Sequence, residues 1–137
     1  MIEELGTPGK VMIVDDEDDI VDTIRLTLQS HGYEAGCFTS AESAIRAIRD
    51  NGGDEYALVI SDIRMPTMNG FEFARVIRDT MPEIPIVFMT AFDIRKSEFS
   101  RVFPSTSASV VELITKPFSR AQLIGIVRKY IGVTEQH

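Results

Sequence analysis

Four places in this chain set an acid, a hydroxyl or an amine at the end of a run of apolar residues. Asp15 and Asp16 follow Val11-Met12-Ile13-Val14, Asp62 follows Ala57-Leu58-Val59-Ile60-Ser61, Thr90 follows Ile86-Val87-Phe88-Met89, and Lys116 follows Val110-Val111-Glu112-Leu113-Ile114-Thr115. Three carboxylates drawn together repel one another, and a divalent cation offsets that repulsion. Their oxygens suit Mg²⁺, a hard cation usually held by one or two carboxylates while it keeps several waters. A carboxylate can also act as a nucleophile and form an aspartyl phosphate. The charge that develops on a phosphoryl group then needs cationic and hydrogen-bonding partners, and Lys116 and Thr90 are residues of that kind.

Other chemistries are poorly supplied. His31 and His137 are the only histidines and Cys37 the only cysteine, too few for a His-rich zinc site or a Ser-His-Asp or Cys-His machine. Gly6-Thr7-Pro8-Gly9-Lys10 approaches a P-loop, but Val11 stands where Ser or Thr is needed and Glu4 where the first glycine belongs. No G-x-G-x-x-G is present for a dinucleotide. Cys37 reads as a small interior residue rather than a nucleophile, and a lone cysteine fits a reducing compartment.

Charge narrows the partners. A net charge of −7 leaves no surplus of Lys and Arg to displace phosphate counterions, which argues against direct binding of nucleic acid. Within the acidic run Asp15-Asp16-Glu17-Asp18-Asp19, the last three residues suit a solvated loop at the positive N-terminal end of a helix. Asp15 and Asp16 instead lie against the end of a strand. No apolar run approaches the ~18 residues of a membrane span. The acidic Met1-Ile2-Glu3-Glu4 is unlike a signal peptide, so the expected location is cytoplasmic.

These residues can meet only if the chain between them folds suitably. Strands are expected at residues 10 to 14, 33 to 38, 57 to 61, 85 to 89 and 110 to 115, several of them continuously apolar as in parallel strands covered on both faces. Ile20, Val21, Ile24 and Leu28 form one helical stripe, closed by Gly32. Ala41, Ala44, Ile45 and Ile48 form the next, opened by a capping box of Thr39 and Glu42. Phe73, Val76 and Ile77 mark a third helix that stops before Pro82, and Ile94, Phe99, Val102 and Phe103 a fourth ended by Pro104. Leu123, Ile126, Val127, Tyr130 and Ile131 mark the last, behind a capping box of Ser119 and Gln122. With 137 residues, 44% apolar and 26% charged, one globular domain is expected. Five βα units imply an α/β fold, a doubly wound five-stranded parallel sheet with helices on both faces. Ligands bind such sheets at the carboxyl ends of the strands.

The acidic pair Asp15-Asp16, the block Asp62-Ile63-Arg64-Met65-Pro66-Thr67-Met68-Asn69-Gly70, the pair Thr90-Ala91 and Lys116-Pro117-Phe118 together resemble the receiver domain of two-component response regulators, in the stand-alone form of chemotaxis response regulators. The resemblance runs from about Lys10 to Ile131, and the expected division is an extension at 1–9, the receiver at 10–132 and a tail at 133–137. It implies the flavodoxin-like strand order 2-1-3-4-5. It also implies that Asp62 is the phosphoacceptor, that Asp16 ligates Mg²⁺ directly and Asp15 through water, and that Asp62 and the Arg64 backbone carbonyl complete the protein's share. Lys116 would pair with Asp62 or its phosphoryl oxygen, Thr90 would bond that oxygen, the Lys116-Pro117 bond would be cis, and Gly70 would permit the turn into the third helix. Arg64 and Phe92 would line the entrance.

The resemblance further implies a sensor histidine kinase or a phosphotransfer protein as donor, and a downstream protein at the face of the fourth helix, last strand and last helix. A phosphorylation-linked dimer is compatible with that face. Chemistry would be limited to self-catalysed phosphotransfer to Asp62 and its reversal by hydrolysis. Leu113 departs from the pattern, because receivers typically carry Tyr or Phe three residues before the lysine. The segment from Thr90 to Lys116 is longer than is common, with a polar loop at Ser105 to Ser109. An alternative therefore keeps the receiver fold as a phosphorylation-independent interaction module. A Mg²⁺-dependent phosphohydrolase would need a substrate-covering cap, and no segment supplies one.

Overall fold

The computed structural model describes residues 9–91 and 111–132. Within them the chain forms β1 (Lys10–Val14), α1 (Asp18–Ser30), β2 (Ala35–Phe38), α2 (Ala41–Asn51), β3 (Tyr56–Asp62), α3 (Gly70–Arg78), β4 (Ile86–Thr90), β5 (Val111–Thr115) and α4 (Arg120–Ile131). The helix expected over Ile94 to Phe103, the polar loop at Ser105 to Ser109 and Phe92 lie outside the described residues.

The five strands form one parallel sheet in the order β2-β1-β3-β4-β5, as expected. Alternation along each strand divides the core in two. Met12, Val14, Val59, Ile86 and Phe88 face one side, where Ala44, Ile48, Phe73 and Ile77 of α2 and α3 cover them. Val11, Ile13, Leu58, Ile60, Val87 and Met89 face the other, under Ile24 and Leu28 of α1 and Leu123, Ile124 and Val127 of α4. Val11 to Val14 are entirely buried, which is why β1 reads as an unbroken apolar run.

Several boundaries differ from the sequence expectation for local reasons. β2 begins at Ala35 rather than residue 33, because the Tyr33 N–H still closes α1 on the Leu28 carbonyl at 3.0 Å. The Tyr33 hydroxyl reaches across to the Gly132 carbonyl at 2.6 Å and ties the end of α4 to the same corner. The capping box of Thr39 and Glu42 does not form. Ala41 is the first buried residue of α2, so Ser40 stands at the cap and its hydroxyl accepts the Ser43 N–H at 3.1 Å. The box of Ser119 and Gln122 does form, at 2.8 and 3.0 Å. α4 turns Ile124 rather than Ile126 into the core, and Ile126 is half-buried.

The turn between β3 and α3 was legible only in part. Its left-handed residue is Thr67, with φ 73°, and the Met68 N–H donates to the Pro66 carbonyl at 2.7 Å, the tight i to i+2 closure of a γ-turn. Gly70 does not supply that freedom. It is required instead by close approach, since a Cβ there would stand 2.4 Å from the Asp62 carbonyl oxygen. Asn69 and Glu72 cap α3 reciprocally at 2.9 and 3.0 Å, a box the sequence reading did not pick out.

Candidate functional site

The sheet brings the strand-end residues together. Asp62 and Thr90 are the last residues of β3 and β4, Asp15 and Asp16 directly follow β1, and Lys116 directly follows β5. The Asp15 N–H donates to the Phe38 carbonyl at 3.1 Å and the Lys116 N–H to the Thr90 carbonyl at 2.7 Å, so the ladders continue into the site. Carboxylate oxygens of Asp15, Asp16 and Asp62 all lie within 4.8 Å of one another.

Asp15 is wholly buried, with its Oδ1 accepting the Glu17 N–H at 2.9 Å and its Oδ2 accepting the Lys116 ammonium at 3.0 Å. Lys116 Nζ also stands 3.4 Å from Asp62 Oδ1. The expectation paired Lys116 with Asp62; the structure divides it between two acids, with the shorter contact to Asp15. Asp62 Oδ1 accepts the Ile63 N–H at 3.0 Å, a donor shared with the Met89 carbonyl at 3.2 Å. That backbone donor was not foreseen, because nothing in residue type marks it. The Lys116-Pro117 bond is cis, as expected.

Burial pushes the Asp62 carboxyl up to about 6, and the neighbouring Asp15 charge pushes the same way; Lys116 and the Ile63 N–H pull against both without cancelling them. Burial alone would lower the Lys116 amine, but its hydrogen bond and charge contact with Asp15, and then Asp62, hold it above the ordinary lysine value. Asp16 is exposed and adds a third carboxylate. Lys116 meets only Asp15 and Asp62 of these three acids, and the set of hard oxygen donors fits a small divalent cation.

Thr90 is buried beside this cluster, one residue beyond Met89, the cross-strand partner of Asp62. Its hydroxyl donates to the Ala91 carbonyl at 3.0 Å, so it would have to exchange that bond to reach a phosphoryl oxygen. Arg64 is exposed and lines an open cleft with Ile63, Met65, Asn69 and Phe71. Leu113 is half-buried on the α2 and α3 side of β5, opposite Phe88. Cys37, expected in the interior, is half-buried on the outer strand, where burial raises its thiol.

Fold and site together define a flavodoxin-like α/β domain that carries a lysine-braced acidic cluster at the carboxyl ends of its strands. The model of the response regulator receiver domain family matches residues 11–128, and the chain belongs to that family. Hybrid signal transduction histidine kinase L of Dictyostelium discoideum is 32% identical over 127 residues, which cover 89% of this chain. The chain spans only 7% of that relative's length. Among solved structures, chemotaxis protein CheY4 of Vibrio cholerae superposes with a TM-score of 0.75 at 27% identity, covering 90% of this chain and 98% of that one. A CheY-like receiver domain protein of Methanospirillum hungatei gives 0.73 at 29%, covering 90% and 94%, and the NtrX receiver domain of Brucella abortus gives 0.74 at 27%, covering 88% and 97%. Domains of this family are generally switches rather than enzymes, and they act in two-component signalling. No helix among the described residues is long and apolar enough to cross a membrane.

Proposed function

We propose that this domain is the phosphoacceptor of a two-component phosphorelay, in which Mg²⁺-dependent phosphorylation of Asp62 switches a protein-binding face. One observation carries the reading: three carboxylates within 4.8 Å of one another, braced by a lysine 3.0 Å from Asp15 and 3.4 Å from Asp62. Asp16, Asp62 and the Arg64 backbone carbonyl would hold the ion, with Asp15 acting through water. When bound, Mg²⁺ would offset the carboxylate repulsion and neutralise charge on the transferring group.

An ionised oxygen of Asp62 attacks phosphorus in line. The P–N bond of a phosphohistidine donor breaks, and the leaving imidazole nitrogen keeps the electron pair and takes a proton from solvent. Lys116 then follows the charge onto a phosphoryl oxygen, and Thr90 exchanges the Ala91 carbonyl for another. Hydrolysis of the acyl phosphate resets Asp62, so the chemistry is confined to the domain's own side chain. The donor is a sensor histidine kinase or a phosphotransfer protein in the cytoplasm. The downstream protein meets the β5 and α4 face, where Leu113, Thr115, Gln122, Gly125 and Ile126 line a groove. Self-association through this face would accompany phosphorylation.

Transfer of radiolabelled phosphate from a phosphohistidine-bearing donor domain tests the reading. Label is expected on the parent only with Mg²⁺ present and not on Asp62→Asn. Equal labelling of the variant, or labelling unaffected by EDTA, would overturn it.

A further inference from the structure

A path leads from Asp62 to β5 through side chains that the phosphoryl chemistry does not use. Gly70 is pressed against the end of β3, with its N–H on the Ile63 carbonyl at 2.8 Å and space for a Cβ closed off by the Asp62 carbonyl oxygen. The first turn of α3 must therefore follow any movement of Asp62 and Ile63. Phe71, the next residue, sends its ring to β4 and meets Phe88 edge-on, with centroids 5.1 Å apart and planes at 80°. Phe88 is fully buried, two residues before Thr90 and directly opposite Leu113 of β5.

The two rings differ in freedom. Phe88 is enclosed on all sides by the core. Phe71 is half-buried and borders an open cleft of about 540 Å³ beside Ile63, Arg64, Met65 and Asn69. Edge-to-face and offset-stacked arrangements are both favourable for an aromatic pair. Only the ring at the cleft has room to pass between them, because a close-packed interior does not yield continuously.

We infer that Phe71 is a positioning residue of the switch, a ring that carries the state of Asp62 through Phe88 to Leu113. This rests on the phosphorylation of Asp62 proposed above. Phosphorylation of Asp62 redistributes the Ile63 N–H and the Lys116 contact at one end of the path, while Thr90 moves on the same face of β4 as Phe88 at its middle. Phe71 touches both.

Amide and aromatic spectra of the full ¹⁵N,¹³C-labelled chain, with and without beryllium fluoride and Mg²⁺, test this. In the parent, amides of residues 61–64 and of Leu113 and Ile114 should shift, and the ring resonances of Phe71 should move. In Phe71→Leu the shifts at 61–64 should persist while those on β5 shrink by about half or more. Phe71→Tyr, which keeps the ring, should restore them. Full β5 shifts in Phe71→Leu, or an unmoved Phe71 ring in the parent, would overturn the inference. Absence of any shift at 61–64 in the parent would instead overturn the phosphoacceptor reading, and the inference with it.

Discussion

Burial, with the Asp15 charge beside it, holds the Asp62 carboxyl at about 6 against an ordinary 3.8, and Lys116, shared between the two acids, does not cancel them. An acid that titrates higher in the folded state binds its proton more tightly there. Its contribution to stability is present below the ordinary value and is lost as pH rises through about 6. At neutral pH the ionised Asp62 therefore weakens the metal-free fold. Asp62→Asn should raise stability there by roughly 2 kcal/mol, with the gain fading as pH falls from about 6 toward 3.8. Urea titrations across that range check this; equal stability of the two proteins at neutral pH would contradict it. Lys116→Met acts in the opposite direction, since it leaves Asp15 buried without a cation. It should cost about 3 kcal/mol at neutral pH in EDTA, with part of the loss recovered by Mg²⁺, because the ion offsets the same repulsion. That Asp15, Asp16, Asp62, Thr90 and Lys116 belong to one site was legible from their places after the apolar runs. The division of Lys116 was not, because a strand-end position fixes where a side chain starts and not which of two nearby acids it prefers.

The loop from Asp62 to α3 is the element on which the site depends most. It packs a γ-turn at Thr67, a reciprocal cap at Asn69 and Glu72 and a glycine against the Asp62 carbonyl into the eleven residues from Asp62 to Glu72. Gly70→Ala would force the new methyl into that carbonyl, displacing either α3 or the phosphoacceptor. The expected loss is roughly 2 kcal/mol or more, accompanied by slower phosphorylation. Thermal melts and transfer rates measured together check this; a variant as stable and as fast as the parent would show that the close approach has no consequence. The sequence marked this loop through Met65-Pro66 and Gly70 but assigned Gly70 a turn conformation. A glycine required by contact and one required by φ look the same in a sequence. The shift of the α2 cap from Thr39 to Ser40 has a similar origin, since Thr39, Ser40 and Ser43 all carry suitable hydroxyls and only the seating of Ala41 in the core decides among them.

For the whole molecule, the order β2-β1-β3-β4-β5 places four strand ends from distant parts of the chain along one edge. The parallel, doubly wound sheet was legible because continuous apolar runs must be covered on both faces and crossovers must be right-handed; the order itself was implied only by the resemblance to receiver domains. The two half-cores meet those demands, α1 and α4 on one side and α2 and α3 on the other. Which boundaries hold to the residue depended on packing, as Tyr33 and Ile124 show. The site itself is a property of the sheet rather than of any one segment, so its chemistry should appear only in the folded chain. The central claim is that Asp62 accepts phosphate. Intact mass of the folded protein after acetyl phosphate and Mg²⁺ tests it most directly. The parent should gain the mass of one phosphoryl group, lose it again on standing, and gain nothing in urea or as Asp62→Asn. No gain in the folded parent, or the same gain in Asp62→Asn, would contradict it.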